Sequence, residues 1–308
     1  MKWVAEELET INLGDERRNR RAIRLMEQLA QQTTGSIPTA CAEWSQTQAV
    51  YRFLGNEAFD WQDLLAPHWR CTEQRMAQQP VVLCLQDTTE LNFNGQQIKG
   101  LGPLSYEHQR GMYLHTTYIV TPERAPLGVF DAWMWARQPK DKVTGQRPAD
   151  IPESERWKDG YLRVVDAAKR LPDTRLVYVA DREADIVDWM SRAEDLGHPA
   201  DWLVRAKHNR VLPDQKKLWP TVLEERPLGQ VSFTLPSGRG RKARSVVQAL
   251  YAKQVQIRRN QSKNGGTITV TCLIAREIDA PAGVKPIEWR LLTSLPTASS
   301  MGWRQRWS

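Results

Sequence analysis

Two carboxylates close apolar runs in this chain, Asp87 in VVLCLQDTTEL and Asp181 in LVYVADREADI. An unpaired carboxylate is costly to bury, so two of them at the carboxyl edge of one sheet belong beside a cation or an arginine. Hard oxygen donors of this kind suit Mg2+ or Mn2+. The competing role of each Asp is to cap the helix or turn that follows its strand, and that role explains one such residue more readily than two. Thr88 and Thr89 stand where a hydroxyl can bond beside Asp87, or can simply form a turn.

The elements that must position these groups read in three stretches. Residues 1–79 read as helical. Asp15 suits a helix N-cap, Ala22, Leu25, Met26 and Leu29 fall on one face, and Thr33-Thr34-Gly35 ends the helix. Arg17, Arg18, Arg20, Arg21 and Arg24 lie off that stripe, as a solvated face or as a contact for phosphate. In AVYRFLGNEAF, Gly55 falls just past a helix end, with Tyr51, Phe53 and Leu54 expected to pack.

From Val81 the pattern alternates. Strands are expected at 81–85, 113–120, 127–135 and 176–180, with a helix between Glu153 and Lys169. ADIVDWMSRA then reads as a helix with Ile186, Trp189 and Met190 inward, Glu183 and Asp185 serving as caps at its start. His108 and His115 lie in a strand region and read as ordinary packing or surface groups.

The third stretch, about 207–286, has β-type patterning, with Asn264-Gly265 as a hairpin signal between VQIRRNQSK and TITVTCLIA. It is also strongly basic. Residues 205–263 hold 14 Lys/Arg against 3 Asp/Glu, so the net charge of +7 is concentrated there and the remainder is about −4. The densest part, SGRGRKARS, sets Arg239, Arg241, Lys242 and Arg244 in a Gly-flanked segment suited to a phosphate backbone.

At 308 residues and 41% hydrophobic, the chain can bury a sizeable core. No apolar stretch long enough for a membrane span occurs, and no export signal is evident, which points to the cytoplasm. Cys41, Cys71, Cys84 and Cys272 are scattered, supporting neither a disulfide framework nor a zinc site; they read as small core residues.

The words QDTTELNFNG, GLGPLSYEHQRGMYLHT, PLGVFDAWMWAR, ESERWKDGY and ADREADI occur in this order. Together they resemble the cut-and-paste transposases of bacterial insertion sequences, in the branch that includes the transposase of transposon five. The resemblance runs from LGDERRNRR to EWRLLTS. It implies an α/β chain with a ribonuclease-H-like mixed sheet, a helical N-terminal domain at 1–79 that recognises transposon ends, and a catalytic domain at 80–308. A β-rich basic insertion at about 207–286 would interrupt the catalytic domain. The first and fourth strands would lie side by side, bringing Asp87 and Asp181 together although 94 positions separate them.

In the family two Asp and one Glu hold two divalent ions, Mg2+ or Mn2+, and Asp87 and Asp181 match the two Asp positions. By the same likeness, Arg205, Lys207 and Arg210 in RAKHNR contact phosphate, and Trp289 in EWRLLTS wedges beside a flipped base. The implied partners are double-stranded DNA, as transposon ends and target, and a second copy or a full-length transposase. The family's Glu lies on a helix after the WRLLTS strand, whereas no Glu follows Glu288 here and the chain ends MGWRQRWS. That departure reads as truncation, with catalysis impaired and Leu291 and Leu292 left exposed. A DNA-binding inhibitor of full-length transposase is the alternative, and a non-transposing nuclease of the same superfamily is disfavoured by the N-terminal words and Trp289.

Overall fold

A computed structural model describes residues 1–41, 43–141, 144–145, 153–238, 242–259 and 265–296. The chain opens with five helices, α1 (Lys2–Glu7), α2 (Glu16–Gln31), α3 (Ile37–Cys41), α4 (Trp44–Leu54) and α5 (Trp61–Met76). The Asp15 carboxylate accepts the Arg17 N–H at 2.7 Å and satisfies one of the orphan donors at the start of α2. Asp60 and Asp63 bond reciprocally across the first turn of α5 in a capping box. Ala22 and Leu25 of α2 bury against Val4, Leu8, Leu13, Val50 and Phe53, with Met26 and Leu29 packed at the rim.

Phe53 packs as expected, but Tyr51 and Leu54 are exposed. The inward stripe of α4 is Thr47, Val50 and Phe53, and a stripe three residues apart turns both of their neighbours to solvent. A polar junction ties this bundle to the rest of the chain. Glu7 takes two hydrogen bonds from Arg75, each 2.9 Å, and one oxygen lies 2.5 Å from His68 Nδ1. His68 Nε2 in turn accepts the Val129 N–H at 3.0 Å. The Arg75 guanidinium holds the Glu7 carboxyl below its ordinary pKa, as expected of a bidentate pair.

The remaining elements are β1 (Val81–Asn92), β2 (Gly102–Pro103), β3 (Arg110–Val120), β4 (Pro126–Trp135), α6 (Glu153–Arg170), β5 (Arg175–Ala180), α7 (Val187–Asp195), β6 (Asp201–Arg205), α8 (Leu218–Leu223), β7 (Gly229–Leu235), β8 (Arg244–Arg258), β9 (Thr267–Ile278) and β10 (Glu288–Thr293). Among the described residues, the ten strands join one mixed sheet in the order β2-β3-β1-β5-β6-β10-β9-β8-β7, with β4 also paired to β3, on the side away from β1. The fold is therefore mixed α/β with a helical N-terminal region. The first and fourth expected strands, β1 and β5, are parallel neighbours.

The basic β-rich stretch does not stand apart. Its strands continue the same sheet through β10, and it contains the helix α8 as well as strands. Strand β1 is also longer than expected. It runs past Asp87 to Asn92, because β3 goes on pairing with it after β5 has stopped. Leu292 is fully buried and Leu291 partly so, contrary to the exposure expected of them. Pairing of β10 between β6 and β9 puts Leu292 in the main apolar cluster. Among the described residues, no helix is long and apolar enough to cross a membrane.

One face of the sheet is covered by α6 and α7. Trp157, Tyr161, Val164 and Val165 of α6 join Trp189 and Met190 of α7 and Val82, Cys84, Leu176, Tyr178 and Trp202 of the strands. Gly160 lies where α6 crosses β1, and a Cβ built on it would overlap Gln86 Oε1. Gln86 is itself buried and held by hydrogen bonds to Thr117, Gly160 and His115, so its side chain cannot simply swing aside. For Gly160→Ala, the helical preference for Ala gains about 1 kcal/mol, while overpacking and a broken buried hydrogen bond each cost about 1–3 kcal/mol. A net destabilisation of about 2 kcal/mol is expected, read as a lower urea midpoint at unchanged slope; a raised midpoint would contradict the packing described.

Candidate functional site

Backbone register builds the site. In the β1/β5 ladder Gln86 pairs with Ala180, so the next step sets Asp87 beside Asp181. In the β5/β6 ladder Ala180 pairs with Val204, which sets Arg205 beside Asp181 on its other side. Asp87, Asp181 and Arg205 therefore follow in a row, one step past the last paired residues of the two ladders. Alternation puts them on one face. Val82, Cys84 and Gln86 are buried toward α6, and Asp87 points away from it. Asp181 keeps an extended backbone and continues the alternation of Val177 and Val179.

Both carboxylates are exposed, and each holds a local donor. Asp87 accepts the Thr88 N–H at 2.9 Å, and Asp181 accepts the Glu183 N–H at 2.7 Å as the cap of a short 3-10 turn. The capping role raised for Asp181 is therefore real, and it leaves the second carboxylate oxygen free of that bond. For Asp87 the cap is absent, because no helix follows. Thr116, the cross-strand partner of Asp87, adds a hydroxyl-bearing neighbour that the sequence patterns did not single out. Among the described residues, no group of three or more His, Cys, Asp or Glu side chains is gathered to enclose an ion.

Trp289 lies two residues before Leu291, the β10 partner of Arg205, with 44% of its surface exposed. The Arg205 guanidinium lies 4.5 Å from its ring centroid. This cation-π contact orients the indole at the edge of the row while leaving much of the ring open. Four candidate residues, Asp87 in β1, Asp181 just past β5, Arg205 in β6 and Trp289 in β10, thus lie on adjoining parts of the sheet.

The other basic candidates divide. Lys207 and Lys242 are exposed, and Arg239 and Arg241 lie outside the described residues, as does Asn264 of the expected hairpin turn. Arg210 instead lies 2.7 Å from Asp185, whose side chain is fully buried. Asp185 also accepts the Lys207 and His208 N–H groups at 2.6 and 2.9 Å, so it clamps the loop after β6 rather than capping α7. Arg244 makes a bidentate pair with the buried Glu277, one arm at 2.9 Å. Arg259 pairs with Glu194 and Asp195 at 2.8 Å each, and Lys253 with Glu225 at 2.6 Å. Much of the local positive charge is therefore matched inside the fold, partly by carboxylates from outside the basic stretch.

The five arginines of α2 divide similarly. Arg17 pairs with Asp15, Arg20 with Glu16, and Arg18 donates to the Leu13 carbonyl at 3.0 Å. Among the described residues, Arg21 and Arg24 are the members of this cluster whose side chains make neither a hydrogen bond nor an ion pair. Beside α2, α4 exposes Trp44 and Tyr51.

Residues 1–59, the helices that carry these arginines and aromatics, match the family model described as transposase DNA-binding. The N-terminal module is similar to a transposase DNA-binding domain. Among solved structures, the chain resembles a piggyBac transposase synaptic complex with hairpin DNA, determined by cryo-EM, at a TM-score of 0.41 and 10% identity. That match covers 99% of this chain and 59% of the other, so the chain spans less than two thirds of the length of the structure it matches.

The division among the cations has a measurable consequence. Replacing Lys207 and Lys242 together by Ala should flatten the slope of log K against log salt for duplex DNA by up to about 2 units, near 0.9 for each phosphate that is no longer neutralised. Arg210→Ala should leave that slope unchanged while costing about 3–5 kcal/mol in urea unfolding, because it strands a buried carboxylate. A slope that responds to Arg210 and not to the two lysines would contradict this assignment.

Proposed function

We propose that the chain is a DNA transposase of the cut-and-paste type, with strand cleavage and transfer centred on Asp87 and Asp181. The observation that supports this most is the row of Asp87, Asp181 and Arg205 on adjacent strands, joined in sequence to a module resembling a transposase DNA-binding domain. In this reading residues 1–79 recognise transposon ends and residues 80–308 form a ribonuclease-H-like catalytic domain with its basic insertion at about 207–286. The partners are double-stranded DNA, as ends and target, and a second copy or a full-length transposase.

The two carboxylates suit Mg2+ or Mn2+. Mg2+ is commonly held by one or two carboxylates while water and substrate phosphate oxygens complete its shell, which fits an exposed pair of oxygen donors. Bound there, such ions would supply an activated water and stabilise the leaving 3′ oxygen of a phosphodiester. Arg205 would meet a phosphate beside Asp181, where a fixed guanidinium favours the charge that develops on the transferring group. Trp289, braced by Arg205, offers a planar face to replace a stacked base and offset part of the few kcal/mol of unstacking. Lys207 and Lys242 would follow the backbone to either side.

The test uses the whole chain on a labelled duplex carrying the element's own end, with Mg2+ or Mn2+. Metal-dependent nicks at the end should vanish in Asp87→Asn and in Asp181→Asn, while DNA affinity stays within about twofold. Nicking that persists in both variants would overturn the assignment of the site. End binding without any nicking would instead favour the DNA-binding inhibitor.

A further inference from the structure

Directly behind Asp87, on the face turned toward α6, the sheet changes from apolar to polar. Val82 and Cys84 are buried there, and the next positions on the same face of β1 are Gln86 and Thr88. His115, the β3 partner of Thr88, has no exposed surface, and it bonds to both. Its Nδ1 lies 2.7 Å from Thr88 Oγ1 and its Nε2 lies 2.9 Å from Gln86 Oε1.

Donor directions follow from the surroundings. Gln86 Nε2 donates to Thr117 Oγ1 at 2.8 Å and to the Gly160 carbonyl at 3.2 Å. A carbonyl can only accept, so Gln86 Oε1 must accept, and His115 Nε2 carries the proton. His115 Nδ1 then accepts from the Thr88 hydroxyl. The ring cannot turn away, since Trp133 stacks on it at 4.3 Å and Trp157 meets it edge-on at 5.0 Å. Burial, with Arg156 and Arg163 adding to it, pushes the His115 pKa down to about 4, in keeping with a neutral ring.

A buried polar group is costly unless its bonds are made, and apolar side chains fill the earlier positions of this face without that cost. The polar positions are the two that flank Asp87. We propose that His115 is a positioning residue for Asp87: by holding Gln86 and Thr88 from the opposite face, it fixes the backbone between them and hence the direction of the Asp87 carboxylate. This rests on the reading of Asp87 as a divalent-cation ligand. Groups that orient a ligand in this way alter metal affinity by about 10–100-fold when removed.

The test is Mn2+ binding to the full chain, followed through the EPR signal of the free ion, with circular dichroism to monitor folding. His115→Phe keeps the stacking and removes both bonds; Thr88→Val removes one bond and decides the matter should the first variant fail to fold. His115→Gln retains one acceptor and one donor. Mn2+ affinity should fall about 10-fold in the first two variants and stay within about twofold in the third. A lowered melting temperature with unchanged Mn2+ affinity in His115→Phe and Thr88→Val would overturn the proposal and leave His115 a core residue. If the Asp87→Asn variant binds Mn2+ as tightly as the native chain, the cation reading itself fails, and this proposal falls with it.

Discussion

The register between β1 and β5 is the constraint on which the rest depends. Side chains along a strand alternate between faces, so a slip of one residue would bury Asp87 against α6 and turn Gln86 outward. The slip is opposed by packing. Val82 and Cys84 of β1 and Leu176 and Tyr178 of β5 all enter the cluster beneath α6, and Tyr178 also donates to the Trp157 carbonyl at 3.2 Å. A slipped β1 would exchange these apolar residues for Leu83, Leu85 and a carboxylate. Hydrophobic burial on one face thereby selects the polar arrangement on the other.

Electrostatics in this fold works mainly by pairing, and less as a diffuse positive field. Asp185 and Glu277 have almost no exposed side-chain surface, so each requires its arginine and its backbone donors. Arg210 and Arg244 accordingly serve as structural counterions. What remains at the surface near the row of Asp87, Asp181 and Arg205 is a smaller set of cations, with Lys207 held in place by the Asp185 clamp. Fewer free cations at fixed positions discriminate better than a uniform basic surface, because backbone geometry then decides which phosphates they meet.

Local patterns were legible in the sequence where local chemistry decides them. The Asp15 cap, the Ala22 and Leu25 stripe and the inward Trp189 and Met190 follow from capping and helical spacing. The strand-rich region and the adjacency of β1 and β5 were expected as well, though the adjacency came from likeness to a family and its parallel direction only from the structure; periodicity carries no information about partners 94 residues apart. The extension of β1 to Asn92 was not legible because LQDTTELN is polar, and it forms only because β3 offers it a partner. Tyr51 and Leu54 looked like core residues by type, yet the stripe of Thr47, Val50 and Phe53 excludes them. The Arg210 and Arg244 pairs depend on tertiary contacts that composition counts as free charge. His115 read as a packing group, whereas the alternation of Gln86, Thr88, His115 and Thr117 on one face was the signal that links it to Asp87.

The claim that Asp87 and Asp181 share one divalent-cation site is tested most directly by Fe2+ substitution. Fe2+ with ascorbate and peroxide generates radicals that cut the polypeptide near the bound ion. The account predicts two cuts in the folded chain, one close to residue 87 in β1 and one close to residue 181 after β5, both suppressed by excess Mg2+ and both absent in Asp87→Asn. Cutting at only one of these strands, or at sites remote from both, would contradict it.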